Sequence, residues 1–138
     1  MILLDTNVLS EIMKPRPHAG AIDWLNEVET TRLWLSAITI AEIEYGLRSM
    51  PDGTRRRTLR HRFEGFVESA FSGRVLVFGR AAATIYGEIM AHRRAGGRPM
   101  SVADGQIASI ALSRGLKLAT RNTKDFDDCG LDLIDPFR

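Results

Sequence analysis

Met1-Ile2-Leu3-Leu4-Asp5-Thr6-Asn7-Val8-Leu9-Ser10-Glu11-Ile12 is the stretch whose reading decides the fold. Its apolar run stops at Asp5, and Val8, Leu9 and Ile12 follow at helical spacing, so a fully buried strand is expected to run directly into a helix. Lys14, Pro15, Arg16 and Pro17 end that helix, because proline offers no amide hydrogen and restricts the residue before it. The strand therefore delivers Asp5 to its carboxyl end.

The alternation continues outward from there. A helix is expected from about His18 to Val28, a strand over Leu33 to Leu35, and a helix opened by Ser36 that runs to Met50 and is closed by Pro51, Asp52 and Gly53. Thr54 to Phe71 is amphipathic, with Leu59, Phe63, Phe66, Val67, Ala70 and Phe71 on one side and Arg55, Arg56, Arg57, Arg60 and Arg62 off it. Strands are expected at Val75 to Phe78, Leu116 to Thr120 and, at an edge, Leu131 to Ile134. Helices over about Arg80 to Ala95 and Val102 to Arg114 lie between them. Strands that alternate with helices imply a parallel sheet covered on both faces, and such sheets bind ligands at the carboxyl ends of their strands.

The 138 residues suit one unit, and 44% apolar with 26% charged residues excludes a disordered chain. No apolar run approaches the ~18 residues of a membrane span, so the expected location is the cytoplasm, away from any membrane. A lone Cys129 makes no internal disulfide, and His18, His61 and His92 are far apart, which argues against zinc. The net charge of +2 hides an asymmetry: Met1–Tyr45 carries three basic and seven acidic residues, Gly46–Met100 eleven and four, Ser101–Arg138 five and six. Most of the cations are Arg, whose planar fork suits phosphate. An acidic site beside a basic surface is a layout for handling a polyanion through bound cations, although a solvated face would read the same way.

Few of the 17 acids follow strands. Asp5 does; its alternative role is to cap the next helix. Glu42 lies about two turns into its helix, and Glu44 points to nearly the opposite side, so the two cannot share a site. Gly46, beside Glu42, is expected to allow close approach. Asp104 lies three residues after Ser101, which is also the spacing of a capping box. Asp125, Asp127 and Asp128 come shortly after the fourth strand, and Asn122 sits nearer its end with a neutral oxygen to offer.

Together, Leu4-Asp5-Thr6-Asn7-Val8, Ala41-Glu42-Ile43-Glu44-Tyr45-Gly46, Ala103-Asp104-Gly105-Gln106-Ile107-Ala108 and Thr120-Arg121-Asn122-Thr123-Lys124-Asp125-Phe126 resemble the PIN-domain family over the whole chain. The likeness is strongest to the toxin ribonucleases of bacterial toxin–antitoxin pairs, the VapC type and its FitB-like branch. The resemblance implies a single PIN-like α/β domain over residues 1–138, with a parallel sheet of four to five strands between α-helices. It also implies a metal-dependent endoribonuclease using Mg²⁺ or Mn²⁺ on single-stranded or loop RNA, and a homodimer. A cognate antitoxin would block the site, form a higher assembly and alone contact operator DNA. Carried over, the acids and metal ligands are Asp5, Glu42, Asp104 and Asp125, with Asn122 as a weak or indirect ligand at a position where related chains often have an acid. Thr6, Asn7 and Thr120 would orient carboxylates or water.

Oxygen ligands without His or Cys suit Mg²⁺ better than zinc. Arg55, Arg56 and Arg57 are expected to hold RNA phosphates, and Trp24, Leu25 and Trp34 to offer the antitoxin an apolar groove. The competing reading is a catalytically inactive module of the same fold that binds protein or nucleic acid. A phosphatase of the haloacid-dehalogenase kind is disfavoured by Asn7, which stands where that chemistry needs a second acid.

Overall fold

In the computed structural model, which describes residues 1–138, β1 (Ile2–Leu4) is the centre of a five-stranded sheet. Around it follow α1 (Thr6–Ile12), α2 (Ala19–Glu27), β2 (Leu33–Ser36), α3 (Ala37–Ser49), α4 (Thr54–Ala70), β3 (Val75–Leu76), α5 (Arg80–Ala95), α6 (Val102–Arg114), β4 (Lys117–Ala119) and β5 (Leu133–Ile134). Two 3-10 turns, Thr30–Arg32 and Thr123–Phe126, precede β2 and follow β4. The strand order is β3-β2-β1-β4-β5 and every pair is parallel, as the βαβ alternation requires. The order reverses between β1 and β4, and that switch point is where a crevice opens beyond the strand ends.

Successive strand residues point to opposite faces. Leu3 accordingly joins Leu76, Ile89, Ile107, Ile110, Leu118 and Phe126 under α5 and α6, whereas Ile2 and Leu4 join Val8, Leu9, Leu35, Ile43, Phe63 and Phe71 under α1, α3 and α4. The sheet is thus buried on both sides, which is why its strands read as apolar runs.

Three differences from the expected outline have physical causes. Strand pairing in β3 stops at Leu76, because Val77 turns outward at the sheet edge and Phe78 leaves to pack edge-on against Tyr86, with centroids 5.7 Å apart. Gly46 makes no close approach: a Cβ there would meet open space. Trp24 and Leu25 pack against one core and Trp34 against the other, so the two tryptophans lie on opposite sides of the sheet and build no common groove.

A close approach occurs instead at Gly105, where a Cβ would lie 2.5 Å from Met90 Sδ and 3.0 Å from the Tyr86 ring. The missing side chain lets α6 press on α5 directly behind Asp104. Gly105→Ala should cost about 1 kcal/mol in urea unfolding, since overpacking of ~1–3 kcal/mol outweighs the ~1 kcal/mol by which Ala is the better helix former. A variant more stable than the parent would show that Met90 yields freely.

Candidate active site

Asp5 leaves β1 and caps α1: its Oδ1 accepts the Thr6 amide at 2.8 Å, so the capping role anticipated for it is real. Its other oxygen has a different partner. Thr120, fully buried at the end of β4, donates its hydroxyl to Asp5 Oδ2 at 2.8 Å and accepts from Asn7 Nδ2 at 3.3 Å and from the Asn122 amide at 3.1 Å. One donor and two lone pairs are therefore all used. Asn7 completes the brace by accepting the Arg121 amide at 3.2 Å, which ties α1 to the end of β4.

Glu42 is held by a chain of hydroxyls. Thr6 Oγ1 donates to Glu42 Oε1 at 2.6 Å and lies 3.0 Å from Thr39 Oγ1, which accepts from Ser36 Oγ at 3.3 Å. With its own hydrogen on Glu42, Thr6 accepts from Thr39, so the chain runs Ser36 to Thr39 to Thr6 to Glu42. Glu44 is on the other side, paired with Arg48 at 3.5 Å and Arg60 at 3.4 Å.

Asp104 sits in the first turn of α6, where the Ser101 hydroxyl accepts its amide at 3.2 Å. Helix N-termini favour negative charge, so both Asp5 and Asp104 stand where a carboxylate is best tolerated. Asp125 rides on the 3-10 turn after β4, its amide donating to the Asn122 carbonyl at 3.0 Å. That segment is fastened from α5 by the buried Arg93, which donates to the carbonyls of Asp125 at 3.1 Å and Asp127 at 2.7 Å.

These side chains meet in one cleft of about 390 Å³ with no hydrophobic lining, beyond the carboxyl ends of β1 and β4. Asp5, Glu42, Asp104 and Asp125 line it with Thr6, Asn7 and Asn122, and so do Ser10, Glu11, Lys14 and Arg121, which the sequence reading passed over. A signal for the first three was present: positions 10, 11 and 14 continue a polar stripe from Asn7 down one face of α1 and its exit. Of the three arginines expected near the site, Arg55 lines an adjoining apolar groove that shares Thr6, Ser10, Lys14 and Glu42 with the cleft. Arg56 lines neither, and Arg57 is an exposed partner of Asp52 at 3.6 Å.

The electrostatics of the cleft are those of partly buried carboxylates that lie near one another. Burial pushes the Asp5 carboxyl up from 3.8 to about 6; hydrogen bonds from Thr120 and Thr6 oppose this, and the charges of Asp104 and Glu42 add to it. Asp104 is also raised, by burial first and by its neighbours Asp125 and Glu42. Asp5 and Asp104 are thus harder to ionise, through burial first and through the neighbouring carboxylates in addition. No three of the acids close tightly enough to enclose an ion by themselves. An all-oxygen, loosely gathered set fits Mg²⁺, which retains several waters and takes one or two carboxylates directly, and does not fit zinc.

A family model described as PIN domain matches residues 2–130. The chain is similar to the VapC ribonuclease Y4jK of Sinorhizobium fredii, with 43% identity over 99% of this chain and 98% of that one. It superposes on the crystal structure of FitAcB from Neisseria gonorrhoeae with a TM-score of 0.93 and 36% identity, covering 100% of this chain and 99% of that one. DNA-bound VapBC from Salmonella typhimurium gives a TM-score of 0.83 at 29% identity, covering 98% and 97%.

Proposed function

Because the chain belongs to the PIN-domain family, we propose that the cleft of Asp5, Glu42, Asp104 and Asp125 is the centre of an endoribonuclease dependent on Mg²⁺ or Mn²⁺. The chain is a nuclease, a hydrolase of phosphodiester bonds, and the toxin component of a toxin–antitoxin system. Its partner is a cognate antitoxin, through which such an assembly reaches DNA. No helix is long and apolar enough to cross a membrane. In our reading residues 1–138 act as one cytoplasmic nuclease domain that pairs with a second copy and cuts single-stranded or loop RNA.

The observation that carries this reading is the convergence of four carboxylates from four separate segments on one cleft lined by polar and charged residues at the sheet's switch point. A bound divalent ion would supply an acidified water and neutralise charge on the phosphoryl oxygens. The chain's own contribution is rigidity. Thr120 and the Thr6 amide fix both oxygens of Asp5, the hydroxyl chain fixes Glu42, and α6 and the Arg93-fastened turn set Asp104 and Asp125 opposite them. Such fixed positions remove reorganisation from the reacting step.

Incubating the purified chain with single-stranded RNA should give cleavage with Mg²⁺ or Mn²⁺ and none with EDTA. Cleavage undiminished by EDTA would overturn the metal reading, and RNA binding without cleavage under any metal would favour the inactive binding module.

The fourth ligand can be tested separately. Asp125 is the charge that weighs most on Asp104 among its acidic neighbours, whereas the Asn122 side chain caps nothing and is neutral. Asp125→Asn should therefore slow single-turnover cleavage by ~10-fold or more, ~1.4 kcal/mol of barrier, and Asn122→Ala by far less. The reverse ranking would transfer the role to Asn122.

A further inference from the structure

The cleft contains a fifth carboxylate that the metal reading does not use, and two cations that no acid of the metal site neutralises. Glu11 is buried to all but 6% of its surface. Its Oε1 lies 3.2 Å from Lys14 Nζ and 3.5 Å from Arg121 Nη1, and its Oε2 accepts the His18 amide at 3.2 Å. Burial works to raise its carboxyl, but Lys14, the His18 amide and Arg121 outweigh burial and hold it below the ordinary range. Glu11 is thus a fixed anion with three of its roughly four acceptor positions engaged, a poor candidate for a metal ligand.

Arg121 is held on three sides. Its backbone amide donates to Asn7, its guanidinium pairs with Glu11, and the Phe137 ring lies 3.9 Å from its central carbon. An aromatic face fixes the plane of a guanidinium and leaves its remaining donors directed outward. Lys14 and Arg121 are the only cations lining the cleft, both retain about half their side-chain exposure, and neither forms an ion pair with Asp5, Glu42, Asp104 or Asp125. Two flexible cations beside four carboxylates would ordinarily collapse onto them. Glu11 prevents this, and since one carboxylate cannot cancel two cations, the group keeps a net positive charge facing the cleft.

Resting on the nuclease reading above, we propose that Lys14 and Arg121, tethered by Glu11, form a substrate clamp that grips the RNA phosphate next to the one being cut. Glu11 is its positioning residue: it points the two cations at the polyanion and keeps them off the metal-binding acids. The acids and the clamp then divide the cleft into a pole for the cation and a pole for the backbone phosphate.

The test is binding of a short mixed-sequence single-stranded RNA in Ca²⁺ across a salt series. Lys14→Gln and Arg121→Gln, both at exposed side chains, should each lower the salt slope by ~0.7 and weaken binding alike for unrelated sequences. Arg114→Gln, at the far end of α6, serves as the control with an unchanged slope. Calorimetric Ca²⁺ affinity should be retained in both single variants. Glu11→Gln should weaken RNA and Ca²⁺ binding together, and the Ca²⁺ loss should be recovered in the triple variant that also carries Lys14→Gln and Arg121→Gln.

Unchanged salt slopes alongside normal wild-type cleavage would refute the clamp and leave the nuclease reading standing. Ca²⁺ affinity that stays low in the triple variant would make Glu11 a metal ligand and overturn the tether. A wild-type chain that cleaves no RNA with any divalent ion would remove the reading and the clamp with it.

Discussion

Asp5→Asn, Glu42→Gln and Asp104→Asn are each expected to slow RNA cleavage by ~10²-fold or more, which corresponds to about 3 kcal/mol of lost transition-state stabilisation. Each substitution removes one negative charge from the cleft and nearly conserves volume, so the chain should remain folded by circular dichroism. The three are not equally innocent. Glu42→Gln keeps a carbonyl oxygen that can accept the Thr6 hydroxyl. Asp104→Asn leaves the helix start intact, because that contact runs through the backbone amide to Ser101. Asp5→Asn is harder to accommodate: both Asp5 oxygens accept hydrogen bonds, and both acceptor positions on Thr120 are already taken by Asn7 and Asn122. A new amide group there must displace one of them, so this variant should also lose some stability. Any of the three that cuts single-turnover RNA within a few-fold of the parent at saturating Mg²⁺ would take its residue out of the site.

The layout that makes this prediction possible was legible because it is written in local patterns. A strand buried on both faces must be a short apolar run, and a helix that starts at once must follow it with helical spacing, so the order of elements could be read along the chain. Asp5 stood out as the residue at that junction. The strand ends were less legible, since Val77 and Phe78 leave the ladder only because the edge of the sheet is there and Tyr86 offers a better contact.

The supports of the site were hidden for a different reason. Thr39 and Ser36 look like ordinary helix-start residues until β2 is placed beside β1 and the Thr39 hydroxyl, backed by Ser36, reaches Thr6. Arg93 looks like one more cation on a basic helix, yet it is buried, and besides the nearby Arg98 carbonyl it donates to two backbone carbonyls more than thirty positions away, which no spacing rule announces. Glu11 shows the limit of counting acids. It follows no strand and so does not stand out in the sequence; only the fold brings Lys14 and Arg121 around it and gives it a role.

Without divalent ions, Asp5 should make the protein less stable as the pH rises. Its carboxyl ionises near 3.8 when unfolded and at about 6 in the fold, so between those values the native state holds the extra proton. The stabilising contribution is complete below the unfolded value and is lost as pH rises through about 6, an amount on the order of 3 kcal/mol for a difference of roughly two pH units. Asp104, also raised, acts in the same direction. Glu11 acts oppositely: its carboxyl is lowered, so its contribution is present at neutral pH and lost on acidification. The Asp5 share is isolated by comparing urea unfolding of the parent and Asp5→Asn in EDTA from about pH 4 to pH 7, where the parent should lose stability relative to the variant. Adding Mg²⁺ should reverse the trend in the parent alone, because an ion that binds the ionised, folded form stabilises it by mass action, and more so as Asp5 ionises. Parallel pH profiles for the two proteins would mean that the Asp5 charge is already compensated within the chain. Burial of the Asp5 carboxyl beside Asp104 and Glu42, which costs stability when no divalent ion is bound, is then also what favours binding one.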